Sequence, residues 1–558
     1  MPNAAKDKKD PAHAVKETLI SIAISFVMAF VFRGFVIEGF QIPTGSMAPT
    51  LLGKHMLIED DRNGYAWTVG PWDYVNGNPA NPPLARQGAQ PTRSGRPTAD
   101  VRVNNPITDA QMSLQNQPIR YGDRIFVIKY LEGLHNPERW DVVVFKNPAT
   151  RDSYIKRLLG LPNEQVALID GDVFTRPFEE GATPTSGVEA WTGPGWEIQR
   201  KDERTQRAML QTVYDARHNP VNPGPEYRSP WIPDSASRWT GLRDAPEQTF
   251  EGGDAATLTW SDNNPITDWY PYNQTPTSLQ YFRDPNRVLY PVSDLAVSLT
   301  FEPGTEGSAV SPTITARGRE FRARLSAGSA VLEMRENGAE SWATVDEGAG
   351  PTLSAGTPVE IEFWHVDQAL WLFVDGDLIA GGPEDGAYTL SPAQRVLAAT
   401  GTPLGELLER PGLADARVGP GVLADPSLYE KPGLSWSFEG GPFTIRRLSV
   451  KRDIHYQLSP QGMSRLQPTF GGDPGHFPSL RDDQFFVCGD NSPSSKDSRL
   501  WTRHDGGPDP WVADQFDDTV GIVPRDLMIG RAFIVYFPSP LKFGQIPIPD
   551  AGRVRWIW

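Results

Sequence analysis

Cysteine is nearly absent from this chain, whose 558 residues include a single one, Cys488. An intrachain disulfide framework is therefore excluded, and stability has to come from buried apolar surface. Metal-binding signatures are also missing, because the eight histidines are scattered and none falls in an HExxH motif or another close ligand pair. The sequence accordingly predicts no metal site and no cofactor, and it offers no motif for a Ser-His-Asp triad.

Positive charge is in deficit as well, since 53 Lys and Arg stand against 69 Asp and Glu, for a formal net charge of -16. Nucleic acid attracts basic surfaces, so this balance argues against it as a partner. Patterns typical of long helices are few, whereas 53 Pro and 52 Gly interrupt the chain throughout. The composition predicts a mainly β protein of short strands and turns, with roughly three or four domains.

Long apolar runs are limited to one, from Leu19 to Phe32, which with its flanks reaches the roughly 20 residues of a membrane span. We predict a transmembrane helix over residues 18–38. A cleavable secretion signal is the alternative, but large aromatic and charged residues follow the run where small residues would mark a cleavage site. Only Arg33 lies at the far end of the run, whereas several lysines precede it: Lys6, Lys8, Lys9 and Lys16. This bias predicts a cytoplasmic N-terminus over residues 1–17 and an extracytoplasmic location for everything after residue 40.

A serine follows this segment directly, within Gln41–Thr50 (QIPTGSMAPT), and this places Ser46 at the membrane surface. A serine becomes a good nucleophile only when a neighbouring base takes its proton. Lysine can be that base if burial keeps its amine neutral, because a low-dielectric environment disfavours the ammonium form. The arrangement suggests a membrane-bound serine hydrolase.

Two β-prone runs supply a candidate lysine. Val142–Phe145 and Tyr154–Leu159 are bounded by turn signals, and we predict both as strands. Side chains alternate along a strand, so one of the adjacent cations Lys156 and Arg157 should point inward. The alternative is that both are solvated edge residues, since lysine is rarely fully buried.

Four segments of the chain resemble the ordered sequence boxes of type I signal peptidases (peptidase family S26), the Ser/Lys endopeptidases that remove signal peptides. They are Pro43–Leu51 (PTGSMAPTL), Tyr121–Tyr130 (YGDRIFVIKY), Asp141–Asn147 with Tyr154–Arg157, and Gly489–Arg499 (GDNSPSSKDSR). The resemblance covers roughly residues 15–60, 118–175 and 456–540. It implies a catalytic core built on an antiparallel β-sheet, to which we assign residues 39–59, 118–175 and 456–558.

The resemblance also implies roles for individual residues. Ser46 would be the nucleophile and Lys156 the general base, while the hydroxyl of Thr44 would join the backbone N–H of Ser46 in the oxyanion hole. Ser495 would orient Lys156, and Asp497 would pair with Arg499 to support that loop. Asp490 and Asn491, in the same box, are interpreted as turn formers.

By the same resemblance, the substrates are exported preproteins that are cut after small residues of the A-x-A type. An extended substrate would add as a strand to a sheet edge and place alternate side chains in pockets. The implied location is the cell membrane, with a single span and with the lipid bilayer as a partner. Residues implied to line the pockets are Phe40, Ile42, Met47, Tyr154 and Ile155. For each of them an ordinary core position is the alternative.

The remaining sequence consists of insertions. We predict an irregular loop over 60–117 and a Trp/Pro/Gly-rich segment over 176–290, with one short helix near Glu203–Asp215. The tryptophans of this segment are predicted to fill small cores, and a binding surface is the alternative. Alternating strands predict a β-sandwich over 291–455, and Asp375-Gly376 marks a tight turn within it. This part resembles concanavalin-like and laminin-G-like lectin sandwiches, which would imply a glycan- or protein-binding accessory domain. A spacer without a ligand is the alternative.

Two other functions remain open from the sequence. One is a catalytically inactive, membrane-anchored binding protein with a lectin-like domain. The other is a Ser/Lys self-cleaving regulator, which should carry a basic DNA-reading segment in place of the membrane helix.

Overall fold

The computed structural model describes residues 11–70, 74–75, 78–79, 98–131, 135–148, 150–179, 181, 187–220, 223, 227–234, 236–253, 255–274, 289–409, 421–458, 469–501, 521–543 and 546–558. Most of the described chain forms antiparallel strands, so the prediction of a mainly β protein is confirmed. Among the described residues the α-helices are α1 (Pro11–Phe35), α2 (Val188–Thr192), α3 (Glu203–Met209), α4 (Pro392–Thr400) and α5 (Leu404–Leu408).

The first helix is long and apolar enough to cross a membrane, over Val15–Phe35 with a mean hydropathy of 2.0. The side chains of this stretch are exposed rather than packed against the rest of the chain. The predicted span over 18–38 runs too far at its end, because the helix stops at Phe35 and a strand starts at Ile37. Ile37 begins to pair with a neighbouring strand, and this pairing overrides the apolar pattern. Of the predicted cytoplasmic segment, residues 1–10 lie outside the described part.

One eight-stranded sheet gathers strands from both ends of the chain. Its order is β1 (Ile37–Gln41), β8 (Arg124–Lys129), β31 (Met528–Phe537), β9 (Val142–Lys146), β10 (Ser153–Gly160), β29 (Gln484–Cys488) and β30 (Val523–Pro524), with β34 (Arg555–Trp556) paired to β31. Both strands predicted around Lys156 are present as β9 and β10. Arg157 on β10 lies opposite Cys488 on β29, so residues more than 300 positions apart are direct neighbours. The core against this sheet includes Leu158, Phe485 and Val487.

A smaller three-stranded sheet continues from β10 and marks where the insertion leaves and returns. It contains β11 (Glu164–Ile169), β12 (Asp172–Pro177) and β13 (Glu197–Ile198). Gly171, in the turn between β11 and β12, accepts a hydrogen bond from Tyr456 N over 3.1 Å. The two ends of the long insertion therefore lie side by side, which keeps the entropic cost of closing the intervening loop low.

The segment predicted as an irregular loop over 60–117 is instead partly a sheet, where the structure describes it. Its order is β3 (Tyr65–Val69), β2 (His55–Asp60), β7 (Gln111–Arg120) and β6 (Thr98–Asn104), and a short pair, β4 (Tyr74–Val75) and β5 (Asn78–Pro79), lies nearby in sequence. Alternate apolar residues, such as Trp67 with Val69 and Val101 with Val103, form a common core beneath this sheet. This alternation is a strand signal that the many Asn, Pro and Gly residues conceal.

The insertion forms a β-sandwich of two packed sheets. The first has the order β16 (Trp239–Thr240), β17 (Glu247–Phe250), β28 (Phe443–Arg452), β19 (Leu295–Pro303), β24 (Val359–Val366), β25 (Ala369–Val374) and β26 (Asp377–Gly381), with β14 (Gln211–Asp215) paired to β28. The second has the order β15 (Trp231–Pro233), β18 (Ala256–Trp260), β27 (Gly433–Glu439), β20 (Ala309–Ala316), β21 (Arg319–Ser326), β22 (Ser329–Glu336) and β23 (Ala343–Ala349). At the predicted tight turn between β25 and β26, Asp375 and Gly376 both adopt positive φ, at 50° and 90°.

The Trp-rich segment contributes five strands, β14 to β18, to these sheets rather than forming a separate unit. Five of its six tryptophans are buried, as predicted, and Trp269 is half-buried. The buried ones are Trp191, Trp196, Trp231, Trp239 and Trp260. The predicted helix near Glu203–Asp215 is only half correct. It ends at Met209, because Gln211–Asp215 pairs with the last residues of β28. The chain closes with a hairpin of β32 (Leu541–Phe543) and β33 (Ile546–Ile548), followed by β34.

A cluster of buried charges joins the sandwich to the three-stranded sheet. Arg317 Nε lies 2.6 Å from a carboxylate oxygen of Asp170, and Arg395 Nε lies 3.1 Å from the same atom. Arg395 also pairs with Asp172, while Arg317 pairs with Asp294. All five side chains are buried. We call these residues the junction cluster, and it fixes the insertion to the turn between β11 and β12.

Candidate active site

Ser46 lies in the turn that follows β1, and contacts from two distant segments hold this turn. Ile42 N donates to Asp123 O over 2.8 Å, and Leu52 N donates to the carboxylate of Asp123 over 3.0 Å. On the other side, Asn491 N donates to Ser46 O over 3.1 Å. The turn is therefore held at its start, its middle and its end.

Gly45, just before the serine, allows another chain segment to approach very closely. A Cβ atom at Gly45 would lie 2.0 Å from Cε1 of Tyr272, so a side chain here would collide with that ring. Tyr272 belongs to a short 3-10 turn, Pro271–Asn273, which lies in the insertion. The turn that carries Ser46, residues 43–52, is called the nucleophile turn below.

Lys156 extends from β10 to the same turn. Its Nζ lies 2.8 Å from Oγ of Ser46 and donates to Ile155 O over 2.9 Å. The ring of Tyr154, two residues away on the same face of the strand, has its centre 5.6 Å from Nζ. Lys156 is only 4% exposed, whereas Ser46 is half-buried. An amine and a hydroxyl at hydrogen-bond distance form the geometry that nucleophilic catalysis needs.

The electrostatic environment of Lys156 favours the neutral amine. Burial lowers its pKa from 10.5 to about 8, and the charges of Asp497 and Asp490 oppose this change only in part. Among the described residues, no carboxylate forms a salt bridge with the amine. A large fraction of Lys156 is therefore unprotonated slightly above pH 8, and such an amine can accept the hydroxyl proton of Ser46.

Arg157 is buried as well, so both adjacent cations point into the protein and neither is a solvated edge residue. Its guanidinium forms a two-point ion pair with Asp490, with distances of 2.8 and 2.7 Å. Asp490 also accepts a hydrogen bond from Thr50 Oγ1 over 2.5 Å. The interpretation of Asp490 as a mere turn former is therefore wrong, since its carboxylate ties β10 to the end of the nucleophile turn.

Asn491 likewise does more than form a turn. Its Nδ2 donates to Gly45 O over 2.9 Å and to Asn273 Oδ1 over 2.9 Å, and its Oδ1 accepts from Asn273 Nδ2 over 2.7 Å. With its main-chain bond to Ser46 O, Asn491 contacts the residues on both sides of the Gly45–Ser46 peptide bond. Sequence reasoning missed this role, because the partner Asn273 lies in a distant insertion.

Asp497 and Arg499 form a fully buried ion pair behind the site, with Arg499 NH2 2.8 Å from the Asp497 carboxylate. Asp497 also accepts from Gly489 N over 2.8 Å, and this orders the loop after β29. Ser495 lies beside the main chain of Ser46, since a Cβ on Gly489 would be 2.2 Å from Ser495 Oγ and 2.5 Å from Ser46 O. By distance and angle that hydroxyl has no hydrogen-bond partner among the described residues, although it helps to lower the pKa of the Asp497 carboxyl.

The remaining predicted residues surround the nucleophile turn. Thr44 is half-buried, and its main chain packs so tightly on Gly53 that a Cβ there would lie 2.4 Å from the Thr44 carbonyl carbon. Among the predicted pocket residues, four share one apolar cluster: Ile42, Met47 and Ile155, which are buried, and Phe40, which is partly buried. Tyr154 packs on the opposite cluster with Phe145 and Trp501. The oxyanion and pocket roles of these residues stay predictions.

Comparison with known protein families supports the sequence resemblance. Three segments of the chain, residues 15–81, 103–186 and 447–537, match the family described as "Signal peptidase, peptidase S26". Ser46, Lys156 and Asp497 fall in successive segments, so the insertions interrupt the family's sequence without removing these residues.

Two curated relatives show the same partial match. Signal peptidase I of Buchnera aphidicola subsp. Schizaphis graminum is 27% identical over 150 residues, which is 27% of this chain and 30% of that relative. Signal peptidase I of Rickettsia prowazekii is 25% identical over 170 residues, which is 30% of this chain and 46% of that relative. The matches thus span less than half of each relative's length.

Solved structures align with this chain only at low scores. The carbohydrate binding module CBM66 from Bacillus subtilis aligns with 40% of this chain and 96% of its own, at 8% identity and a TM-score of 0.22. Sheep galectin-11 aligns with 28% of this chain and 94% of its own, at 14% identity and a TM-score of 0.16. Scores this low carry no inference about a ligand.

Proposed function

We propose, on the premise that this chain belongs to the S26 signal peptidase family through three segments separated by insertions, that it is a membrane-bound serine endopeptidase. In this proposal it cleaves signal peptides from exported preproteins. The observation that carries the proposal is the 2.8 Å distance between Lys156 Nζ and Ser46 Oγ in a site where burial lowers the pKa of the lysine to about 8.

The proposed reaction proceeds through an ester intermediate. Neutral Lys156 takes the proton of Ser46 as Oγ attacks the carbonyl carbon of the scissile peptide bond. The backbone N–H of Ser46 and the hydroxyl of Thr44 stabilise the developing oxyanion. The lysine ammonium then protonates the leaving amine, and the restored neutral lysine activates a water molecule that hydrolyses the ester.

The proposed substrate binds as an extended strand beside the nucleophile turn. Small residues at the first and third positions before the cut would fit shallow pockets over the apolar cluster of Phe40, Ile42, Met47 and Ile155. The helix α1 would anchor the catalytic sheet beside the bilayer on its extracytoplasmic side. Enzyme and inserted signal peptide would then meet at a raised effective concentration.

Cleavage of a model preprotein by the full chain in detergent or lipid tests the proposal. We expect Lys156→Ala to lose activity by about 1,000-fold, which is within the range of general-base contributions. Ser46→Ala removes the attacking hydroxyl and should abolish cleavage. Lys146→Ala is the matched control, because Lys146 is an exposed lysine on the neighbouring strand β9 and should be dispensable. The rate should rise with pH around a midpoint near 8, as the Lys156 amine loses its proton.

Full activity in either site variant would refute the Ser/Lys assignment. Absence of cleavage by the intact chain, with every preprotein offered, would instead favour an inactive anchored binding protein. A rate that rises only near pH 10 would mean that Lys156 is not desolvated in solution.

A further inference from the structure

The insertion reaches the nucleophile turn through the short stretch Tyr270–Gln274, and nothing in the family resemblance assigns a role to it. Tyr270 OH donates to Asp490 O over 2.6 Å, and Asn273 exchanges two hydrogen bonds with Asn491. Asn273 is 4% exposed and Asn491 is 0% exposed. A buried amide pair that links an insertion to the site loop is costly to disrupt, because each lost partner leaves a buried polar group unpaired.

We propose that Asn273 is a positioning residue for the oxyanion hole, acting through Asn491 on the Gly45–Ser46 peptide. This inference rests on the proposed function. It means that the sandwich insertion completes the active site, in addition to any ligand it binds.

The hydrogen-bond pattern determines the orientation of Asn491. One of the two Nδ2 hydrogens goes to Gly45 O and the other to Asn273 Oδ1, while Oδ1 receives the amide hydrogen of Asn273. Rotating the Asn491 amide by half a turn would place its Oδ1 against Gly45 O and Asn273 Oδ1, and its Nδ2 against Asn273 Nδ2. The pair with Asn273 therefore holds Asn491 in the orientation that the Gly45 carbonyl also favours, in which Nδ2 donates to Gly45 O.

The bond to Gly45 O, which also accepts from Ala48 N over 3.0 Å, in turn helps to fix the direction of the Ser46 N–H. A peptide unit is planar and trans, so its C=O and N–H point in opposite directions. Holding Gly45 O on the Asn491 side directs the Ser46 N–H to the opposite side, and this N–H is the proposed oxyanion donor. Asn491 N also donates to Ser46 O, so the next peptide unit is restrained as well.

Kinetics of Asn273→Ala on the full chain test this inference. Loss of one oxyanion donor lowers kcat by about 100-fold or more, so misalignment of that donor should lower kcat by about tenfold. KM and the pH midpoint near 8 should stay unchanged, because Lys156 and the substrate pockets are untouched. A peptide boronate, whose tetrahedral adduct with Ser46 mimics the oxyanion, should bind about tenfold more weakly to the variant.

Asn219→Ala is the matched control. Asn219 is a buried asparagine of the insertion whose hydrogen bonds go to Tyr214, Tyr227 and Ala245, away from the site. Both variants should lower the melting temperature, but only Asn273→Ala should lower kcat and weaken the boronate. If Asn273→Ala does not fold, Asn273→Asp replaces it, since its carboxylate sets an oxygen against Asn491 Oδ1 at similar volume.

The inference would be overturned if a folded Asn273 variant kept the wild-type kcat and boronate affinity while Ser46→Ala still abolished cleavage. Equal kcat losses in the Asn273 and Asn219 variants would overturn it too, because they would indicate a general loss of stability. A wild-type chain without Ser46-dependent cleavage would refute the proposed function itself.

Discussion

Two buried lysines in this protein show opposite behaviour. Lys156 and Lys201 are both 4% exposed. Burial without a salt-bridged carboxylate lowers the pKa of Lys156 to about 8. Lys201 Nζ lies 2.7 Å from Asp367 and 2.9 Å from Asp453, and these carboxylates overcome the effect of burial and raise its pKa.

The comparison shows that burial does not decide the charge of a lysine by itself. Removing an amine from water disfavours the ammonium form, while a carboxylate in contact favours it. Near Lys156 the carboxylates of Asp490 and Asp497 are already committed to Arg157 and Arg499. These two carboxylates therefore lie near Lys156, but the arginines neutralise their charge and the lysine forms no salt bridge with either.

The largest effect should come from making the Lys156 charge permanent. Lys156→Arg replaces an amine that can be neutral with a guanidinium that stays protonated at all accessible pH values. We expect cleavage to fall by about 1,000-fold at every pH from 6 to 10. Measurable cleavage that recovers at high pH would contradict a role for Lys156 as the base.

The converse change at the second lysine should affect stability and leave the chemistry intact. Lys201→Met leaves Asp367 and Asp453 buried without their cation, which should lower the free energy of unfolding by about 3–5 kcal/mol. The folded pKa of Lys201 is raised, so its contribution is fully present below about pH 10. Denaturant unfolding measures this. A loss under about 1 kcal/mol would mean that the ion pairs are solvated.

Removing the amine of Lys156 should instead raise the free energy of unfolding. Lys156→Met should raise the free energy of unfolding by up to about 3 kcal/mol at pH 7, since a change from 10.5 to about 8 corresponds to roughly 2.5 pKa units. The folded pKa is lowered, so the penalty in the wild type is complete below pH 8 and disappears as pH rises toward 10.5. The free energies of unfolding of the wild type and of Lys156→Met should therefore converge as the pH rises from 8 to 10.5. Destabilisation by Lys156→Met at pH 7 would show that the amine is well paired.

The smallest effect should come from Ser495→Ala. Because the Ser495 hydroxyl makes no hydrogen bond to Lys156 among the described residues, we expect less than a tenfold loss of activity, the scale of one ordinary hydrogen bond. The pH midpoint should stay near 8. A loss of 100-fold, or a shifted midpoint, would mean that Ser495 orients the base directly.

The sequence by itself predicted Ser46 and Lys156 as catalytic residues, because short motifs and a strand pattern are local features. It also indicated the apolar helix, the strands on either side of Lys156 and the core tryptophans, since apolar periodicity reflects burial. Its errors arose where pairing with distant strands overrides local pattern, as at the end of α1, in the sheet at Tyr65–Val69 and at Gln211–Asp215.

Only the tertiary structure decided the environment of these residues. The pKa of Lys156, the Arg157–Asp490 pair and the link from Asn273 to Asn491 all depend on contacts between positions more than 200 residues apart. Desolvation and hydrogen bonding act over a few ångströms in space, and no short stretch of sequence records which groups the folded chain brings within that distance.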